Sequence, residues 1–159
     1  IADIQGPVYL RLGRSESQTI YNENFNFKVG KSVELFSGED VTIIAIGSMV
    51  EKAVFAREIL ESQGIHARII DLLTIKPLDE EAILRAAIET RGIVTVEDHN
   101  VYGGMGSVIA EFLAEKYPTR VLRVGINDHF GCSGDLEELR ENFGLSVSNI
   151  VGKVKELLK

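Results

Sequence analysis

Apolar positions fall into two alternating spacings along most of the chain. Val41-Thr42-Ile43-Ile44-Ala45-Ile46 is a continuous β-branched run of the kind buried on both faces of a parallel sheet. After Gly47-Ser48 the spacing changes: Val50, Ala53, Val54, Ile59 and Leu60 recur as on one helix face, up to a stop at Gly64. The cycle then repeats. Ala67 to Leu72 predicts a strand, and Asp79-Glu80-Glu81 opens a helix that buries Ala82, Ile83, Ala86 and Ala87. Gly92 to Glu97 predicts a third strand, Met105 to Tyr117 a third helix, and Thr119 to Val124 a fourth strand. Two helices close the chain. Asp135 and Glu138 form a capping-box-like pair for one, and Ser146 or Ser148 caps the other, whose stripe is Ile150, Val151, Val154, Leu157 and Leu158. Strands and helices alternating at short intervals imply parallel strands joined by crossovers. The expected fold is α/β: a three-layer α/β/α Rossmann-like domain with a mostly parallel sheet.

The first thirty residues break this rhythm. Val8 to Leu12, bounded by Gly6-Pro7 and Gly13, predicts a short strand that stops at Gly13-Arg14. From Ser15 to Gly30 the chain is rich in Ser, Asn and Glu, with Phe25 and Phe27 as alternating anchors, as in a connection laid over a surface. Ser32 to Phe36 adds a short edge strand. The expected division is therefore 1–14 as the last strand of a preceding domain, 15–30 as linker, and 31–159 as the regular α/β domain.

Composition narrows the function classes. A chain of 159 residues with 45% apolar content buries one substantial core. A formal charge of −7 without a basic run argues against nucleic acid. No apolar stretch reaches the roughly 18 to 20 residues that cross a bilayer, so no membrane is expected. A single cysteine, Cys132, fits a cytoplasmic setting. The chain starts Ile1-Ala2-Asp3, and we read it as a piece of a larger polypeptide.

Ligands of such folds gather where strands end and helices begin, and four places there carry candidate chemistry. Gly103-Gly104-Met105-Gly106-Ser107 opens a helix and could bring amides to an anion, yet its spacing is not that of a dinucleotide fingerprint; a tight turn is the preferred reading. Glu97-Asp98-His99-Asn100 suggests a metal or a proton relay, but alternation lets only Glu97 and His99 share a face, so hydrogen bonding that orders the glycine turn is preferred. In Asp128-His129-Phe130-Gly131-Cys132-Ser133-Gly134 a Cys near a His suggests a nucleophile and base; a capped loop with Phe130 buried is preferred. Arg14, at a strand end, offers a rigid guanidinium fork for phosphate oxygens.

Taken in order, GPVYLRLGR, VTIIAIGSMV, QGIHARIIDLLTIKPLDEE, GIVTVEDHNVYGGMGS and VGINDHFGCSGDLEELRENFG resemble the C-terminal third of transketolases. The deoxyxylulose phosphate synthases resemble the middle motifs, but typically carry an aromatic-Pro-Arg-Gly motif where this chain has Leu12-Gly13-Arg14-Ser15, and usually lack the Phe-Gly-x-Ser-Gly motif at Phe130 to Gly134. His129 departs from the transketolase pattern, and Cys132 occupies a variable position.

The resemblance implies an enzyme that moves a two-carbon ketol unit between sugar phosphates with thiamine diphosphate and a divalent metal (Mg or Ca) at a subunit interface. It implies that residues 1–14 end the pyrimidine-binding domain and that the parent is a homodimer, in some prokaryotes split into N- and C-terminal subunits. It assigns no catalytic, cofactor or metal residue to this chain, which by itself is expected to bind no cofactor and to be inactive, supporting assembly. It assigns Arg14 to the substrate phosphate. Two other readings stay open: a deoxyxylulose phosphate synthase or 2-oxo-acid dehydrogenase β subunit, and a free-standing anion-binding module at Gly103 to Ser107.

Overall fold

The structure is a computed structural model and describes residues 3–10, 12–13 and 18–159. Five strands form one sheet: β1 (Val33–Phe36), β2 (Val41–Ala45), β3 (Ala67–Asp71), β4 (Ile93–Asn100) and β5 (Val121–Ile126). Their order across the sheet is β1-β3-β2-β4-β5. The β2, β3, β4 and β5 pairs are parallel, and β1 pairs antiparallel on the β3 edge. The helices are α1 (Met49–Glu61), α2 (Glu80–Glu89), α3 (Met105–Lys116), α4 (Leu136–Asn142) and α5 (Val147–Leu158).

Every residue of β2 and β3 is buried, as the continuous apolar runs require of strands covered on both faces. Alternation sends neighbouring side chains to opposite layers. Ile43, Ile69, Val94 and Val124 pack with Met49, Leu60, Ile150 and Val154 of α1 and α5. Ile44, Ile70 and Ile93 pack with Ile83, Met105, Ile109 and Leu113 of α2 and α3. The three-layer α/β/α expectation holds.

The helix ends follow their sequence signals. Asp79 caps α2 by accepting from the Ala82 amide, and Ser146 caps α5 by accepting from Asn149. Asp135 accepts from the Glu137 and Glu138 amides at α4, without a return bond from the Glu138 side chain among the described residues. Arg91 and Arg120 donate to the Leu158 and Leu157 carbonyls, satisfying the open C-terminal end of α5.

Three expectations change. Val8, Tyr9, Leu10 and Leu12 lie in no strand and are exposed; Arg11 lies outside the described residues. Phe27 is exposed, and Tyr21 stacked on Phe25 at 3.9 Å anchors the linker instead. β4 runs on through the polar residues to Asn100, past a register shift between Val96 and Asn100, because Asn100 pairs with Ile126.

Candidate functional site

Strand order places the site. The helix after β2 leads to β3 on one side, and the helix after β4 leads to β5 on the other, so the connections diverge between β2 and β4. In parallel sheets this is where a crevice opens at the carboxyl ends. A cavity of about 590 Å³ lies there, with Gly47 and Ser48 on one wall and Asp98, His99, Gly103 and Gly104 on the other. Leu12, Gly13 and Ile75 also line it. Arg14 lies outside the described residues.

Glu97 is only 2% exposed on the floor of this crevice. Its Oε2 accepts from the Met105 amide at 2.6 Å and its Oε1 from the Gly106 amide at 2.8 Å. The carboxylate thus occupies the N-terminal end of α3, where amides and dipole favour a negative charge. The glycines follow from this contact: a Cβ on Gly104 would strike the Glu97 carboxylate, and one on Gly106 would strike Thr95 Oγ1. The rest of the turn is committed too. The Gly103 amide donates to Ser107 Oγ, which donates to the Val101 carbonyl, and Arg123 Nη1 donates to both of these oxygens.

The expected ordering role of Glu97 is therefore what the structure shows. At the Gly103 to Ser107 turn the Gly103, Met105, Gly106 and Ser107 amides have partners within the chain, as the tight-turn reading expects. His99 is exposed, with Nδ1 at 2.9 Å from the Asn100 carbonyl oxygen, and Asp98 is exposed. Among the described residues no group of three or more His, Cys, Asp or Glu side chains could hold a metal ion.

The loop after β5 also departs from expectation. Asn100 Nδ2 donates to Asp128 Oδ1 at 3.0 Å, fixing one end, and Lys52 pairs with Glu137 at 2.7 Å just past the other. Lys52 first, then Arg140, holds the Glu137 carboxyl below its usual range. Between these ties Phe130 is 101% exposed, not buried, because no described side chain comes over the loop to cover it. Cys132 is exposed, and no hydrogen bond joins it to His129, so no nucleophile and base pair forms.

Sequence reasoning missed a set of ties between the linker and the segment from Asp71 to Asp79. Tyr21 donates its hydroxyl to Asp71 Oδ2 at 2.7 Å. The Gly30 amide donates to Thr74 Oγ1, and the Ser32 amide and hydroxyl both donate to Asp79 Oδ2. Burial raises the Asp71 carboxyl above its ordinary value, against the Tyr21 hydrogen bond, which lowers it. Burial likewise raises Asp79, but the Ser32 and Ala82 donors and the Lys31 charge outweigh it and hold the carboxyl low. The one sequence signal was polar: Asp71 interrupts the apolar run Ile69-Ile70-Asp71-Leu72-Leu73.

Fold and crevice define a doubly wound α/β domain with its crevice at the carboxyl rim. Residues 30–150 match the family model described as transketolase, C-terminal domain. The chain belongs to that family. It is 46% identical over 152 residues to a 6-deoxy-6-sulfo-D-fructose transketolase subunit of Clostridium sp. (strain MSTE9), covering 96% of this chain and 47% of that protein. A solved chain titled split gene transketolase, inactive beta4 tetramer, superposes with a TM-score of 0.92 at 43% identity, over 99% of this chain and 52% of that one. A 1-deoxy-D-xylulose-5-phosphate synthase of Heliobacterium modesticaldum (strain ATCC 51547 / Ice1) is 40% identical over 98% of this chain and 24% of its own length. The chain thus spans about half of the two transketolase chains. No helix among the described residues is long and apolar enough to cross a membrane.

Proposed function

We propose that this chain is the C-terminal section of a cytoplasmic, homodimeric transketolase of pentose phosphate metabolism, which transfers a two-carbon ketol unit between sugar phosphates. The observation that carries this reading is the likeness to transketolase chains over almost the whole sequence, 46% in one and 43% with a TM-score of 0.92 in the other. Thiamine diphosphate, with Mg or Ca, supplies the carbon chemistry and is held by the remaining domains or the N-terminal subunit. By itself the chain is inactive.

Its own work is to bind and orient. Arg14, the next residue in sequence after Gly13, which lines the crevice, pairs its fork with the terminal anion of the donor sugar. Holding that anion far from the reacting carbon orients the ketose and lends binding energy to the transition state. The sulfo-sugar named for the Clostridium relative has an anionic group of similar shape, so a sulfonated donor belongs in the same test. The carboxyl rim, with Tyr102 and Phe130 exposed, docks the rest of the enzyme.

The test follows ketol transfer by the complete enzyme with thiamine diphosphate and magnesium. Wild type should use a ketose phosphate. Arg14→Ala should lose about ten- to hundred-fold in kcat/KM for donors with a terminal anion, the range of one charged hydrogen-bonding partner, while weak turnover of an uncharged donor survives. A second reading, the deoxyxylulose phosphate synthase branch, is favoured by 40% identity to a synthase. Turnover of pyruvate with glyceraldehyde phosphate, without ketol transfer from a ketose phosphate, would establish it instead.

A further inference from the structure

We infer that Asn100 is a positioning residue for assembly: its side chain sets Tyr102 and Phe130 as two anchors on one acidic rim, and this rim seats on a basic, apolar-pocketed face of the remaining part of the parent enzyme. The inference deepens the docking role proposed above and rests on the transketolase reading.

Tyr102 and Phe130 are 67% and 101% exposed, and they stand in the loops after β4 and β5, at the same end of the sheet. One side-chain amide ties both loops. Asn100 Oδ1 accepts from the Tyr102 backbone amide at 2.8 Å, and its Nδ2 donates to Asp128 Oδ1 at 3.0 Å. Asp128 has a φ of 54°, and among the described residues no other non-glycine residue has a positive φ. Asp tolerates this left-handed turn better than most residues, and the bond to Asn100 holds it there. Behind Tyr102, the Arg123 guanidinium lies 5.8 Å from the ring centroid and is itself fixed on the Val101 carbonyl and Ser107 Oγ. The bases of both anchors are thus set before a partner arrives, which lowers the ordering cost of docking.

Charge selects the occupant. Asp98, Asp128, Asp135 and Glu138 are exposed on the stretches that carry the two anchors, and no described Lys, Arg or His forms a salt bridge with them. A second copy of this chain would set these carboxylates against their own kind, whereas Lys and Arg around an apolar pocket would match them. Position agrees. The chain spans about half of the transketolase chains that it matches, and on the C-terminal reading the rest precedes it. Leu12 and Gly13, on that side of the chain, line the crevice at this same rim.

The test uses the complete enzyme with thiamine diphosphate and magnesium, and hydroxyl-radical labelling of aromatic side chains. Tyr117, 44% exposed at the far end of α3, is the reference. Tyr102 and Phe130 should be labelled well below Tyr117, although both are more exposed than it within this chain. Asn100→Ala should raise the label on both together by about ten-fold, the scale of two lost hydrogen bonds, and leave Tyr117 unchanged. Asp128→Asn, which keeps an acceptor for Asn100 and tolerates the same φ, should stay close to wild type. A photoreactive phenylalanine analogue at position 130 should cross-link to a Lys- or Arg-bearing segment outside residues 1–159. Full labelling of either aromatic in wild type, an unchanged pattern in Asn100→Ala, or a cross-link to a second copy of this chain would each overturn the inference, while ketol transfer by wild type leaves the enzyme's identity intact. Absence of that transfer would overturn the transketolase reading and the assigned occupant with it.

Discussion

Asp71 and Asp79 are both buried aspartates that fasten the linker, yet pH acts on them in opposite senses. The Asp79 carboxyl is held low in the fold, so its stabilising effect is present above the ordinary carboxylate value of 3.8 and disappears as pH falls through the lowered one. The Asp71 carboxyl is raised, so folding binds its proton more tightly than the unfolded chain does. Its contribution is fully present below 3.8 and is lost as pH rises through the raised value. Asparagine at 71 resembles the protonated acid at every pH. Thermal unfolding of Asp71→Asn should therefore match wild type near about pH 3.5 and exceed it near about pH 7. A variant no more stable than wild type at neutral pH would mean that the carboxylate is better solvated than its burial indicates.

At the scale of elements, the β4–α3 junction depends on close approach between a carboxylate and a helix end. Gly104→Ala would place a Cβ against the Glu97 carboxylate and within 2.7 Å of the Asn100 carbonyl oxygen. It should destabilise the domain by about 1–3 kcal/mol in urea unfolding, as overpacking does. Gly152→Ala on the exposed face of α5 meets nothing within 4 Å and should stabilise by about 0.5–1 kcal/mol, because alanine suits a helix interior better. Equal effects of the two would remove the steric argument. Much of this architecture was legible beforehand. Continuous apolar runs announced β2 and β3, the 3.6-residue spacing announced α1, α2, α3 and α5, and the Asp79, Asp135 and Ser146 signals marked true helix starts. The ordering of the glycine turn by the Glu97 to Asn100 cluster was legible, but that Glu97 is the residue that does it, through the Met105 and Gly106 amides, was not. The continuation of β4 to Asn100 was not, because its last pairing follows a bulge that polar residues do not announce. The Tyr21 to Asp71 contact was not either, since it joins positions 50 apart with no local pattern.

The whole molecule presents its apolar exposure unevenly, and this bears on assembly. Phe130 in a Gly-rich loop reads as a buried anchor, because burial is the usual fate of Phe, whereas within this chain it is fully exposed. Asn100, Asp128 and the Lys52 to Glu137 pair hold the two ends of the loop, so Phe130 is presented from a fixed base at 101% exposure. A fully exposed aromatic on an anchored loop resembles the anchors that dominate binding energy at interfaces. Phe130→Ser removes no contact within this chain, so its unfolding midpoint should stay within the ±0.5 kcal/mol typical of surface changes. Association with the separately produced remainder of the enzyme, measured by calorimetry, should weaken by about 2 kcal/mol, or roughly thirty-fold in Kd. An unchanged affinity would show that the loop faces solvent in the assembled enzyme, and would leave the crevice rim near Leu12 and Ile75 to provide the docking surface.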